Sequence, residues 1–127
     1  MAQCVLTRQV APDAASIGDA RRAVCGCATA AGAAEPEHVA VAFSEALTNA
    51  VVHAYVDVPR HDIEVTVHVT ASMVIVTVAD RGRGMQPRPD SPGMGLGLPL
   101  IASLTERFEV AERPGGGTSL TLWFARA

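Results

Sequence analysis

No lysine occurs in this chain; all ten basic side chains are arginine. That absence removes two classes of nucleotide enzyme. A P-loop needs a lysine to reach the phosphates, and a protein kinase of the Gly-rich-loop type needs one on its third strand. Aromatics are equally scarce, at 4% of 127 residues, although 49% of the residues are hydrophobic. The core must therefore be built from alanine, valine and other small aliphatic side chains on closely packed elements. With 18% charged residues the composition is that of a globular chain rather than a disordered one. There is no surplus of positive charge: the net value of −3 leaves no electrostatic footprint for nucleic acid. No apolar run approaches the roughly 20 residues of a membrane-spanning helix. The N-terminus also lacks a basic stretch followed by an apolar one. These absences predict a cytoplasmic protein with no direct nucleic-acid or membrane partner. The three cysteines, Cys4, Cys25 and Cys27, form neither an even framework nor a zinc spacing, and read as reduced thiols in or near the core. The length, without repeats or a long linker, predicts one domain spanning residues 1–127.

Local patterns give an element order. Residues 4–10 read as an edge strand ended by Ala11-Pro12. Asp13 can N-cap a helix over 14–31, closed by Gly32. Ile17, Ala20, Val24 and Ala28 recur on its inner side, with Arg21 and Arg22 outside. Glu35 and Pro36 open a second helix running to about Tyr55, with Val39, Phe43, Ala46 and Ala50 as its packing stripe. Residues 62–70 alternate strictly, as a half-exposed antiparallel strand does. Residues 73–80 are richer in Val and Ile and read as a more central strand. The spacing predicts a short helix over 95–108, then strands over 108–112 and 118–124 around a Pro-Gly turn. The order β-α-α-β-β-α-β-β implies a two-layer α/β sandwich: a mostly antiparallel, mixed sheet covered on one face by about three helices.

Four motifs carry candidate chemistry. In F-S-E-A-L-T-N-A-V-V-H-A-Y (residues 43–55), Glu45 and Asn49 lie one turn apart on a single stripe of an otherwise small, apolar helix. A carboxylate and a carboxamide on a buried-looking face require partners. In D-R-G-R-G-M (80–85), Asp80 shares strand parity with Val74, Val76 and Val78, so it points to the covered face. Gly82 and Gly84 after it permit a sharp turn and a close approach to a flat ring. In G-M-G-L-G (93–97), glycines lead into a helix N-terminus, where backbone N–H groups and the helix dipole favour an anion. In G-G-G-T (115–118), Thr118 shares parity with Leu120, Leu122 and Phe124, the same covered side as Asp80. His38, His61 and His68 read as surface residues. His53 orders the turn after its helix and is not read as a metal ligand.

Taken in order, these motifs resemble the Asn box and the three glycine boxes of the ATP-binding family of gyrase, Hsp90, histidine kinases and MutL (GHKL). The resemblance covers residues 37–124 and implies the Bergerat-type ATP-binding fold. Within the family, the H-A-Y ending, the small size and the short lid look most like the anti-sigma-factor serine/threonine kinases. That likeness implies ATP and Mg²⁺ as cofactors. Asn49 would ligate Mg²⁺, and Asp80 would accept from the adenine amino group with Thr118 nearby. Gly82, Gly84, Met85, Gly93, Met94, Gly95, Leu96 and Gly97 would complete the nucleotide site. Residues 86–92 would be the lid, hinged at Gly84 and Gly93, and Glu45 would be the general base. The implied partners are a sigma factor and a STAS-type anti-sigma antagonist; such kinases commonly form homodimers through the sheet or the first strand. Kinase members often carry a basic residue just before the second glycine box. Here Ser91-Pro92 stands there, and Arg88 is the nearest cation in the lid. That departure keeps open a second reading, a non-catalytic module in which ATP only switches partner affinity. A histidine-kinase catalytic domain is the third. The segment before the Asn box is too short for a separate phosphoacceptor helix pair.

Overall fold

The computed structural model describes residues 1–55, 58–82 and 92–127, with the backbone alone for residues 53 and 92–97. Five strands form one sheet in the order β1-β2-β3-β5-β4: β1 (Gln3–Val10), β2 (Ile63–Val69), β3 (Met73–Ala79), β4 (Arg107–Glu112) and β5 (Thr118–Ala125). Every pairing between these strands is antiparallel. β1 lies at the edge and carries a register shift between Cys4 and Leu6, which leaves Val5 bulged and exposed.

Three helices cover one face: α1 (Ile17–Ala30), α2 (Pro36–His53) and α3 (Pro92–Leu104). Asp13 acts as predicted, its Oδ1 accepting from the Ser16 N–H at 2.9 Å, but the turn it caps, Ala14–Ser16, is 3₁₀ before α1 begins. Gly32, at φ +80°, closes α1, and the Ala33 N–H reaches back to the Ala28 carbonyl at 3.0 Å. α3 differs from its predicted span at both ends. It starts at Pro92, so the whole G-M-G-L-G segment is helical, and it ends at Leu104. The early stop has a local cause. The Thr105 hydroxyl takes the Ile101 carbonyl at 2.9 Å, and the Glu106 N–H already pairs with the Trp123 carbonyl in the sheet.

Between the layers sit Val65, Val67, Val74, Val76, Leu120 and Leu122 from the sheet, against Val24, Ala28, Ala42, Phe43, Ala46, Leu47, Ala50 and Ile101 from the helices. Phe43 and Leu47 are fully buried, each worth about 1.5–3 kcal/mol in apolar burial. Ala42, Ala46 and Ala50 give α2 a buried face of small side chains. The other sheet face is polar and half-exposed. There the Thr77 and Thr121 hydroxyls meet at 3.4 Å, and the Arg107 guanidinium lies 4.3 Å from the Trp123 ring centre. Among the described residues no helix is long and apolar enough to cross a membrane.

Candidate functional site

The three buried polar residues among those described are Asn49, Asp80 and Thr118, each drawn from a different motif. Asn49 sits on the buried side of α2 with 8% of its surface exposed. Its Nδ2 is buried and has no hydrogen-bond partner among the described residues. A half-turn of the amide puts the carbonyl oxygen in that place instead. Either atom, if left unpaired, would cost about 1–3 kcal/mol, a cost that a ligand bound here would relieve. Glu45, one turn earlier on the same stripe, is half-buried.

Asp80 follows β3 directly and is 4% exposed. Its Oδ1 accepts from the Gly82 N–H at 2.9 Å and the Thr118 N–H at 3.3 Å. Burial pushes its carboxyl pKa up from the usual 3.8; the Gly82 and Thr118 N–H groups and the Arg113 guanidinium offset part of that rise. The linkage has a definite sign. Between the unfolded pKa and the raised folded one, the native state keeps a proton that the unfolded chain has lost. Stability therefore falls as pH rises through that window and then levels off. Asp80→Asn should raise the melting temperature by a few degrees at neutral pH and leave it unchanged below 3.8. The amide oxygen can keep both backbone bonds, and under the expectation that Asp80 accepts from an adenine amino group the new NH₂ would oppose it, so ATP affinity should drop about 10–100-fold. Thermal melts at two pH values and a nucleotide titration check both halves.

The turn after Asp80 is gripped from two sides. On one side lies the end of α2. The Tyr55 hydroxyl accepts from the Arg81 N–H at 3.1 Å, and a Cβ on Gly82 would meet the Ala54 carbonyl oxygen at 1.9 Å. Burial pushes the Tyr55 phenol up, and the nearby Asp80 charge adds to this. On the other side is the β4–β5 turn. Gly117, at φ +103°, would drive a Cβ to 2.1 Å from the Asp80 carbonyl oxygen. The Arg113 Nη1 donates to that same oxygen at 3.1 Å. Asn49 lies five residues before Ala54, about 7.5 Å along the helix axis. The Asn-box helix, the Asp80 turn and the third glycine motif thus converge.

α3, which packs against α2, carries the second glycine motif in its first turns. Its first turn starts at Pro92, and the leading N–H groups of any helix have no intrahelical acceptor. Gly84, Met85 and residues 86–91 of the expected lid, with Arg88 and Ser91, lie outside the described residues, as do the side chains of Met94 and Leu96. Ala54, Tyr55, Arg113 and Gly117 were missed as site residues. Tyr55 and Gly117 stood inside quoted motifs, yet their partners are 26 and 37 residues away in sequence. For Thr118 the covered side was expected to receive the hydroxyl; the backbone N–H also takes part, as a donor to Asp80. Among the described residues no cluster of three His, Cys, Asp or Glu side chains could hold a metal. Mg²⁺ does not need one, because it commonly keeps its waters and takes its remaining ligands from one or two protein oxygens and the substrate phosphates.

Among the described residues, this one-sheet sandwich buries three polar side chains, Asn49 on α2, Asp80 after β3 and Thr118 at the start of β5, on its helix-covered side. The model of the histidine kinase-like ATPase domain matches residues 10–124, and the chain belongs to that family, which implies ATP as its ligand. It is 34% identical over 87 residues to the anti-sigma F factor of Pasteuria penetrans, covering 59% of this chain and 58% of that protein. It is 26% identical over 99 residues to the anti-sigma F factor of Clostridium beijerinckii, covering 69% of each. In structure, 96% of the chain superposes on 33% of the crystallised RsbU and RsbW domains of Rv1364c from Mycobacterium tuberculosis, with TM-score 0.73 and 22% identity. It also superposes on 90% of a chain in the SiaB-SiaC complex of Pseudomonas aeruginosa, with TM-score 0.62 and 15% identity. Those two matches speak for the fold.

Proposed function

We propose that this chain is an ATP-dependent protein serine/threonine kinase that also sequesters a sigma factor, its phosphoacceptor being a STAS-type antagonist of that sequestration. The observation that carries the proposal is the buried Asn49 amide, whose Nδ2 has no partner among the described residues, on the stripe that also holds Glu45 and five residues before Ala54, which abuts the Asp80 turn. The anti-sigma F factor relatives support the choice of partners.

In this reading Asp80 receives the adenine amino group, and the first turn of α3 donates N–H groups to phosphate oxygens. Asn49 supplies the protein oxygen for Mg²⁺. When bound, Mg²⁺ neutralises charge on the phosphates during transfer. Glu45 takes the proton from a serine or threonine hydroxyl of the antagonist. The oxygen so freed forms a bond to the terminal phosphorus as the bond to the ADP oxygen breaks. With no lysine in the chain, an arginine or a protonated histidine is the side-chain cation available to the terminal phosphate. The missing basic residue before Gly93 supports the alternative, in which ATP orders the site and tunes partner affinity without transfer.

Incubation with γ-labelled ATP and the cognate antagonist separates the two. Label on a serine or threonine of the antagonist is the expected result. Tight ATP binding without label under any partner condition would establish the regulatory reading instead.

A further inference from the structure

We propose that Tyr55 is a positioning residue for nucleotide-base recognition: its hydroxyl locks the turn that aims Asp80. The inference rests on the reading that Asp80 receives the adenine amino group. Asp80 is the last residue before an irregular segment, so β3 by itself does not fix the direction of its carboxylate. Three contacts do. Oδ1 is held from within by the Gly82 and Thr118 N–H groups. The Asp80 main chain is pressed by Gly117 and bonded by Arg113 from the β4–β5 side. From the α2 side the Tyr55 hydroxyl accepts the Arg81 N–H at 3.1 Å, while Gly82 sits against the Ala54 carbonyl with no room for a side chain.

The Tyr55 contact differs from the others in where it leads. Tyr55 lies two residues past the end of α2, the helix that carries Glu45 and Asn49. The bond to Arg81 therefore ties the turn proposed to read the base to the helix proposed to hold Mg²⁺ and the general base. A tyrosine suits this task. Its ring packs on the core, its reach is rigid, and its hydroxyl offers an acceptor to an N–H that has left the β-ladder. Phenylalanine would keep the packing and lose only the bond.

The test compares ATP with purine riboside 5′-triphosphate, which lacks the 6-amino group. Affinities are measured in Mg²⁺ for the full chain and for Asp80→Asn, Tyr55→Phe and Arg81→Pro. Arg81→Pro deletes the same hydrogen bond from the donor side. The wild-type chain should prefer ATP about 10–100-fold, and Asp80→Asn should remove that preference. Tyr55→Phe and Arg81→Pro should each narrow it about fivefold or more, because small misplacements of a recognising group are costly. In Tyr55→Phe the Arg81 amide should also lose protection from hydrogen exchange. A merely structural Tyr55 would weaken both nucleotides equally and leave the ratio alone; that result, with Asp80→Asn still abolishing the preference, overturns the proposal for Tyr55 only. If Asp80→Asn leaves the preference intact, the reading of Asp80 fails and takes the Tyr55 proposal with it.

Discussion

Asn49→Ala is expected to weaken Mg²⁺-ATP binding by about 100-fold or more while the unliganded protein melts at the same or a higher temperature. The two halves of that result come from one observation. The Asn49 amide is buried and its Nδ2 has no partner among the described residues. An unpaired buried amide destabilises by about 1–3 kcal/mol, and its removal offsets the small cavity that alanine leaves. The binding loss follows from the proposed ligation of Mg²⁺ by Asn49, an interaction worth several kcal/mol where each 1.4 kcal/mol is about tenfold. A structural asparagine would behave in the opposite way, with melting temperature falling and affinity following it down. Calorimetric titration with and without Mg²⁺ reads the effect directly. The mutant should lose the increment that Mg²⁺ adds and keep the weaker metal-free affinity.

Glu45→Gln should reduce phosphoryl transfer to the antagonist by about 10²–10⁴-fold, the usual contribution of a positioned base, with ATP affinity within about threefold of wild type. Glutamine keeps the size and the half-buried position but cannot accept the hydroxyl proton. Single-turnover transfer from labelled ATP measures it. Equal rates for mutant and wild type would remove Glu45 from the chemistry and leave positioning as the whole of catalysis. This substitution is cleaner than alanine because it leaves the α2 surface beside Asn49 filled.

Much of this was legible before any coordinates. The strict alternation over residues 62–70 and the buried stripe Val39, Phe43, Ala46 and Ala50 follow from period alone, and both elements appear where expected. Asp80 on the covered face was a parity argument, and burial agrees with it. The start of α3 was less legible. Three glycines and two prolines lower helix propensity over residues 92–99, so propensity places the start near residue 95 while the helix begins at Pro92. The clamp on the Asp80 turn was not legible at all. Tyr55, Gly117 and Arg113 meet residues 80–82 only after the sheet has ordered its strands and set β5 beside β3. No local signal reports a tyrosine hydroxyl destined for an N–H 26 residues on. Gly82 shows the same limit. Its lack of a side chain reads naturally as room for a ring, whereas its described contact is with the Ala54 main chain.

In the proposed function the Asp80 turn and the Asn-box helix meet one nucleotide. A crystal structure with Mg²⁺ and a non-hydrolysable ATP analogue tests that most directly. The expected result has an Asp80 carboxylate oxygen within about 3 Å of the adenine amino nitrogen and the Asn49 side-chain oxygen about 2.1 Å from Mg²⁺. Adenine bound elsewhere with Asp80 turned away, or Asn49 beyond a water-bridged distance from the metal, would contradict it.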